Sequence, residues 1–460
     1  MPLLLNRPAG AGRHHRRPFG PGSRGASPAP VQLYELPPRL TPRRLGDYSA
    51  VAPAGTLAEL RNLARPLAGL RVLHLSAGPF GSAVADALAA LVPLQRELGL
   101  EVEWRVLRAA GDAAGPGSWS TVYEELSGGV ASNSTALDVR RPFDTTRLSR
   151  LWDVIVLHDP QLIGLPGLRP DEGSAAWLWH CHLDLRTASP TRWPEVYRGL
   201  SGFAAVLFAH EAFSPGHLGL PRVIMPEPVL DPCSPRNAPL DAPLLPALLR
   251  QQGLDPERPI IGQFAPNGHR YATLAALGAY WLARHEIPGL QLVLADVSAA
   301  SPETQVPSTS TPPETAEILR AAARDHDVHL FTPGGGLTAT HINALERSVD
   351  VAMQMAVPRG WSQGLLECQW KGKPAVVGRY GQLAEQAGWG SHGAVVDGAP
   401  DAAERVVDLL RQPERACRMG TAAHQAVAEG HLILAQVAAY SRLFHQLEEK
   451  RTIGTGGDLR

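Results

Sequence analysis

The sequence is short of net charge, of cysteine and of long apolar runs, and each shortage removes a class of protein. Its 460 residues carry 43 Lys and Arg against 44 Asp and Glu, a net charge of -1. Such a balance offers no overall field to hold nucleic acid or an anionic membrane, so neither partner is expected. The four cysteines, Cys181, Cys233, Cys368 and Cys417, form no Cys-x-x-Cys pair. That spacing supports neither a disulfide framework nor a cysteine zinc site, and a cytoplasmic location is the expectation. No apolar run approaches the roughly 18 residues that a membrane helix requires. No repeat of solenoid length is present. The first thirty residues lack any acidic side chain but hold Arg7, Arg13, Arg16, Arg17 and Arg24 among Gly and Pro. Leu3 to Leu5 is too short for a secretory signal core, so residues 1–30 are expected to be a disordered basic tail.

What is present is a globular composition, 44% hydrophobic and 19% charged, in a chain long enough for two or three cores. Short apolar runs alternate with amphipathic stretches, the pattern of a wound parallel sheet in an α/β protein. Strands are expected at 70–76, 101–107, 153–158, 176–181, 204–209 and 222–225 in the first half. The second half adds 259–264, 290–295, 328–331, 350–355, 374–377 and 394–396. Helices are expected at 84–98 and around 244–252. Pro226, Pro228, Pro232 and Pro235 mark the join, because proline removes donors that a sheet interior needs. The expected divisions are 31–240, 241–433 and a final helix at 434–460 packing back on the first half. Two such sheets leave a cleft at the carboxyl ends of their strands, where ligands of open α/β sheets bind.

The segment "IMPEPVLDPCSPRN" (224–237) strongly resembles the inter-domain stretch of the trehalose glycosyltransferring synthases. "RVLHLSAGPFGSAVADAL" (71–88), "LVPLQRELGLEVEWRV" (91–106), "DVIVLHDPQ" (153–161), "WLWHCHLDL" (177–185), "HINALERSVDVAMQM" (341–355) and "ECQWKGKPAVV" (367–377) agree in order. The resemblance implies a GT-B fold, two Rossmann-like domains facing across a cleft, and retaining hexosyl transfer. The donor would be a nucleoside-diphosphate sugar and the acceptor glucose or a similar sugar. It implies no cofactor and no metal, and homodimers are common among such enzymes.

On the amino-terminal side, Gly81 and Ser82 open a helix after the first strand, where relatives carry three glycines. His158 and Asp159 follow one strand, and His180, His182 and Asp184 end the next. Imidazoles and carboxylates at two strand ends suit sugar hydroxyls. The resemblance puts His182 and Asp184 beside the reacting sugar, with His158 adjoining, and His210 and Glu211 at the cleft. His180 stands where relatives have Arg. A metal held by His158, His180 and His182 is the competing reading. It is set aside on the expectation that strand alternation turns these side chains apart.

On the carboxy-terminal side the resemblance implies a diphosphate site with parts replaced. The Arg and Lys positions after the first strand fall on Pro266 and Tyr271, with His269 and Arg270 nearby. Of two glutamates separated by seven residues, Glu367 matches the second, the ribose contact, while Arg359 occupies the first. The glycine pair becomes Gly381-Gln382. These departures leave a second expectation open, a non-catalytic relative that binds a sugar or a protein partner.

Overall fold

The computed structural model describes residues 33–36, 40, 42–76, 83–109, 151–160, 163, 175–187, 193–200, 202–215, 218–264, 270–295, 313–331, 336–356 and 360–455. Among these, thirteen strands form two sheets. The first contains β1 (Leu33–Leu36), β2 (Arg71–Ser76), β3 (Glu101–Ala109), β4 (Val154–Leu157), β5 (Ala176–Cys181), β6 (Ala205–Phe208) and β7 (Arg222–Ile224). The second contains β8 (Ile260–Phe264), β9 (Gln291–Ala295), β10 (Val328–Phe331), β11 (Val351–Gln354), β12 (Ala375–Gly378) and β13 (Ala394–Val396). All pairings are parallel except β1 on β3. The expected strands match to within two residues at either end, because strands buried on both faces read as short apolar runs. The antiparallel edge strand β1, "LYEL", was not expected; four residues carry too little pattern to separate from a loop.

Strand order is β1-β3-β2-β4-β5-β6-β7 in one sheet and β10-β9-β8-β11-β12-β13 in the other. Each order reverses once, between β2 and β4 and between β8 and β11, and those switch points face the ligand-binding crevices of such sheets.

The proline-rich join has few donors of its own, and the second half supplies them. Asn343 Nδ2 donates to the carbonyls of Pro235 and Ala238, and Arg347 donates to those of Asn237 and Ala238. The last helix, Ile433–Thr455, returns to the first half. Its Val437, Tyr440, Leu443 and Phe444 share a core with Leu60, Leu88 and Leu91. No described helix is long and apolar enough to cross a membrane.

Candidate functional site

Sheet register builds the first part of the site. His74 on β2 pairs with Val156 on β4, which pairs with Leu178 on β5. Side chains two residues apart on a strand share a face, so His74, His158, His180 and His182 converge. The expectation that alternation separates His180 from His182 is therefore wrong: alternation separates neighbours, and these two are i and i+2. Their ring centroids lie 4.2 Å apart.

The rings are chained by hydrogen bonds. Gln95 Oε1 lies 3.1 Å from His74 Nε2, His74 Nδ1 lies 2.9 Å from His158 Nε2, and His158 Nδ1 lies 3.2 Å from His182 Nε2. His182 Nδ1 ends the chain 2.7 Å from Glu227 Oε1. His180 joins from the side, with Nδ1 2.7 Å from the Tyr440 hydroxyl. Its Nε2 sits 3.1 Å from the same Glu227 oxygen, out of line for a hydrogen bond.

The electrostatics follow this layout. Burial pushes the His74 imidazole down to about 4, against the pull of Gln95. Burial and the neighbouring rings hold His158 well below the usual imidazole range. Burial also opposes charge on His182, but Glu227 outweighs it and raises this ring. Burial would raise the Glu227 carboxyl; His182 and His180 outweigh it and hold it below the usual carboxylate range. A largely buried carboxylate thus favours the cationic form of one ring, at the end of a chain of rings held below the usual imidazole range.

Glu227 also lines a cavity of about 560 Å³ between the halves. The first half contributes Ala209, His210, Ile224, Met225 and Pro226, and the second contributes Trp361, Leu366, Gln369, Glu385, Gln386 and His392. The closing wall is Ala426, Val427 and His431. His210 Nδ1 accepts from the Ala212 amide, which leaves Nε2 to approach Glu385 Oε2 at 3.2 Å across the cleft. Ser362 caps the helix Gln363–Trp370 and fixes the far wall. Its hydroxyl accepts from the Leu365 amide, its own amide donates to Gln386 Oε1, and Gln386 Nε2 donates back to its carbonyl. An aromatic face, two carboxylates and fixed amides suit a neutral polyhydroxyl ligand.

Of the expected residues, His210 lines this cavity. Both ring nitrogens of His158 and of His182 are engaged in the chain. Asp184 receives a bidentate Arg186 and is buried. Asp159 lies close enough to favour the cationic form of His182. Glu211 is exposed. Gly381 adopts φ 55°, a turn conformation suited to glycine, and the Gln382 amide donates to the Gly360 carbonyl. Arg270 opens the helix Arg270–Ala283. Gly81, Ser82 and Arg359 lie outside the described residues, as do Pro266, His269 and residues 1–30.

Glu367 is 3% exposed and pairs with Arg236 from the proline-rich join. Glu346 lies beside it and receives Lys371 Nζ at 2.8 Å, with both side chains fully buried. Burial raises Glu346, Glu367 adds to this against Lys371, and Arg236 keeps Glu367 low despite its own burial. Glu227, His74, Gln95, Arg236 and Tyr440 were not anticipated. A histidine inside the apolar strand "RVLHLS" was the one available signal.

Residues 74–215 match the family described as trehalose synthase, N-terminal domain. The chain is 28% identical to the trehalose synthase of Pyrococcus horikoshii over 416 residues, 88% of this chain and 97% of that one. Among solved structures, sucrose-phosphate synthase from Thermosynechococcus elongatus aligns with a TM-score of 0.55 at 14% identity, covering 83% of this chain and all (100%) of that one. An Anabaena protein in complex with UDP and glucose aligns with a TM-score of 0.54 at 14% identity, covering 82% and 99%. The solved structures share this two-sheet GT-B fold, and the sequence is similar to trehalose synthase along most of its length.

Proposed function

We propose that the chain is a hexosyltransferase that moves a hexose from a nucleoside-diphosphate sugar to glucose or a similar acceptor with retention of configuration. The observation that carries this reading is the cavity between the two halves, in a chain related along most of its length to trehalose synthases. The same fold holds UDP and glucose in the Anabaena protein. Transfer of this kind rests on positioning and on charge stabilisation of the leaving diphosphate. Trp361 offers a ring face to the sugar, and Glu227, Glu385 and His210 offer hydroxyl partners. The head of the helix Arg270–Ala283 follows β8, where a helix N-terminus and Arg270 would meet phosphate. Glu367 would reach a ribose once Arg236 releases it.

A second reading has its own support. The described cavity lining holds two carboxylates and no Lys or Arg, a field that favours a neutral sugar over a diphosphate. On this reading the chain binds a sugar, or a protein partner, without turnover. Purified protein given UDP-, GDP- and ADP-hexoses with glucose separates the two. Release of a nucleoside diphosphate coupled to an α-linked disaccharide supports transfer; glucose binding without release across the panel supports the second.

A further inference from the structure

The four-histidine cluster brings ring nitrogens of His158, His180 and His182 within 4.8 Å of one another. His182 Nδ1 faces the Glu227 carboxylate at 2.7 Å and therefore carries a hydrogen. His74 Nε2 faces the carbonyl oxygen of Gln95 at 3.1 Å and carries one too. His74 Nδ1 is then an acceptor, so His158 Nε2 donates to it across 2.9 Å. His180 Nδ1 is held by the Tyr440 hydroxyl at 2.7 Å. These outer partners leave three inward atoms, His158 Nδ1, His182 Nε2 and His180 Nε2.

Without a metal this inner set is held by a shared proton and by Glu227. His158 Nδ1 and His182 Nε2 point at each other 3.2 Å apart and share one hydrogen, which the cationic form of His182 carries on Nε2. His180 Nε2 is on a ring with 0% exposure and meets the Glu227 carboxylate at 3.1 Å, out of line for a hydrogen bond.

We propose that His158, His180 and His182 form a site for a divalent transition metal of the zinc class. Their ligand atoms lie within 4.8 Å of one another. The 3.2 Å separation of two of them is close to the roughly 3.3 Å that tetrahedral ligands at about 2.0–2.1 Å from zinc must show. One ion takes the place of the shared proton and fills the lone pair of His180. Each ring then keeps one N–H directed outward, His182 to a carboxylate, His180 to a tyrosine and His158 to a fourth imidazole. Outward partners of this kind orient histidine ligands and raise their basicity. Three protein ligands leave the fourth position to water or a sugar hydroxyl, and Glu227 joins the site to the cavity wall. This inference stands apart from the transfer activity proposed above, because metal binding is read directly.

The test uses the full chain stripped of metal, titrated with Co²⁺ and then Zn²⁺. The expected result is one equivalent of Co²⁺ with a tetrahedral visible spectrum and a Kd below about 10 μM, displaced by Zn²⁺. Ring ¹⁵N resonances should shift at Nδ1 of His158 and Nε2 of His180 and His182, a readout that needs no variant. His180→Gln should weaken binding at least about 100-fold and Glu227→Gln about 10–100-fold. The double variant His14→Gln/His15→Gln should bind unchanged, which separates the site from the histidines of the amino-terminal segment. An octahedral spectrum, no stoichiometric binding, shifts at other histidines, or binding that survives His180→Gln would overturn the proposal.

Discussion

Glu346 offers a stability prediction whose sign is fixed by its surroundings. The carboxyl is fully buried, Glu367 lies beside it, and burial is the leading cause that raises it from 4.5 to about 8. Lys371 at 2.8 Å opposes the shift without cancelling it. The folded chain therefore keeps a proton that the unfolded chain has released. Such a group contributes its full stability below the unfolded value of 4.5, and the contribution is lost as pH rises toward about 8. One proton corresponds to a slope of about 1.4 kcal/mol per pH unit. Between about pH 6.5 and 7.5 the folded carboxyl is still mostly protonated, so the loss is roughly 1 kcal/mol. Glu346→Gln reproduces the neutral shape, keeps a carbonyl for Lys371, and removes the proton linkage. Urea unfolding of both proteins across this range, followed by tryptophan fluorescence, measures the difference. The variant should gain about 1 kcal/mol per pH unit relative to the wild type. Parallel curves, or a variant that loses ground as pH rises, would refute the reasoning.

Three further outcomes follow from the same geometry. Arg236→Met strips the cation from two buried carboxyls and should cost about 3–5 kcal/mol; adding Glu367→Gln should restore part of it in thermal unfolding. Gly364→Ala places a Cβ 2.1 Å from the Phe264 carbonyl oxygen, so the helix Gln363–Trp370 must lift from β8 at a cost of about 1–3 kcal/mol, read as a lowered Tm. His210→Ala removes a partly exposed pair with Glu385. It should leave stability within about 1 kcal/mol while weakening glucose binding roughly tenfold, measured by calorimetry, if His210 contacts the sugar.

The sheets were legible in the sequence because strands such as "VIVL" and "IIGQF" are covered on both faces. The histidines at 158 and 182 were legible as polar side chains at strand ends. What they touch was not, because the chain from Gln95 to Glu227 is set by register across three strands and by a helix 260 residues from His180. Glu227, between two prolines, reads as linker. Glu367 stood out by resemblance, yet its partner Arg236 lies 131 positions away, where the sequence shows only a join. Positions 180 and 182 share a face, so alternation, which parts neighbours, does not part these two histidines.

We infer that this chain works on a nucleotide-activated sugar in the cleft between its halves. Calorimetric titration of the purified full chain with UDP, GDP and ADP, alone and with glucose present, tests it most directly. Micromolar binding of at least one nucleotide, tightened by glucose, is the expected result. No binding of any of the three, with glucose still bound, would contradict it.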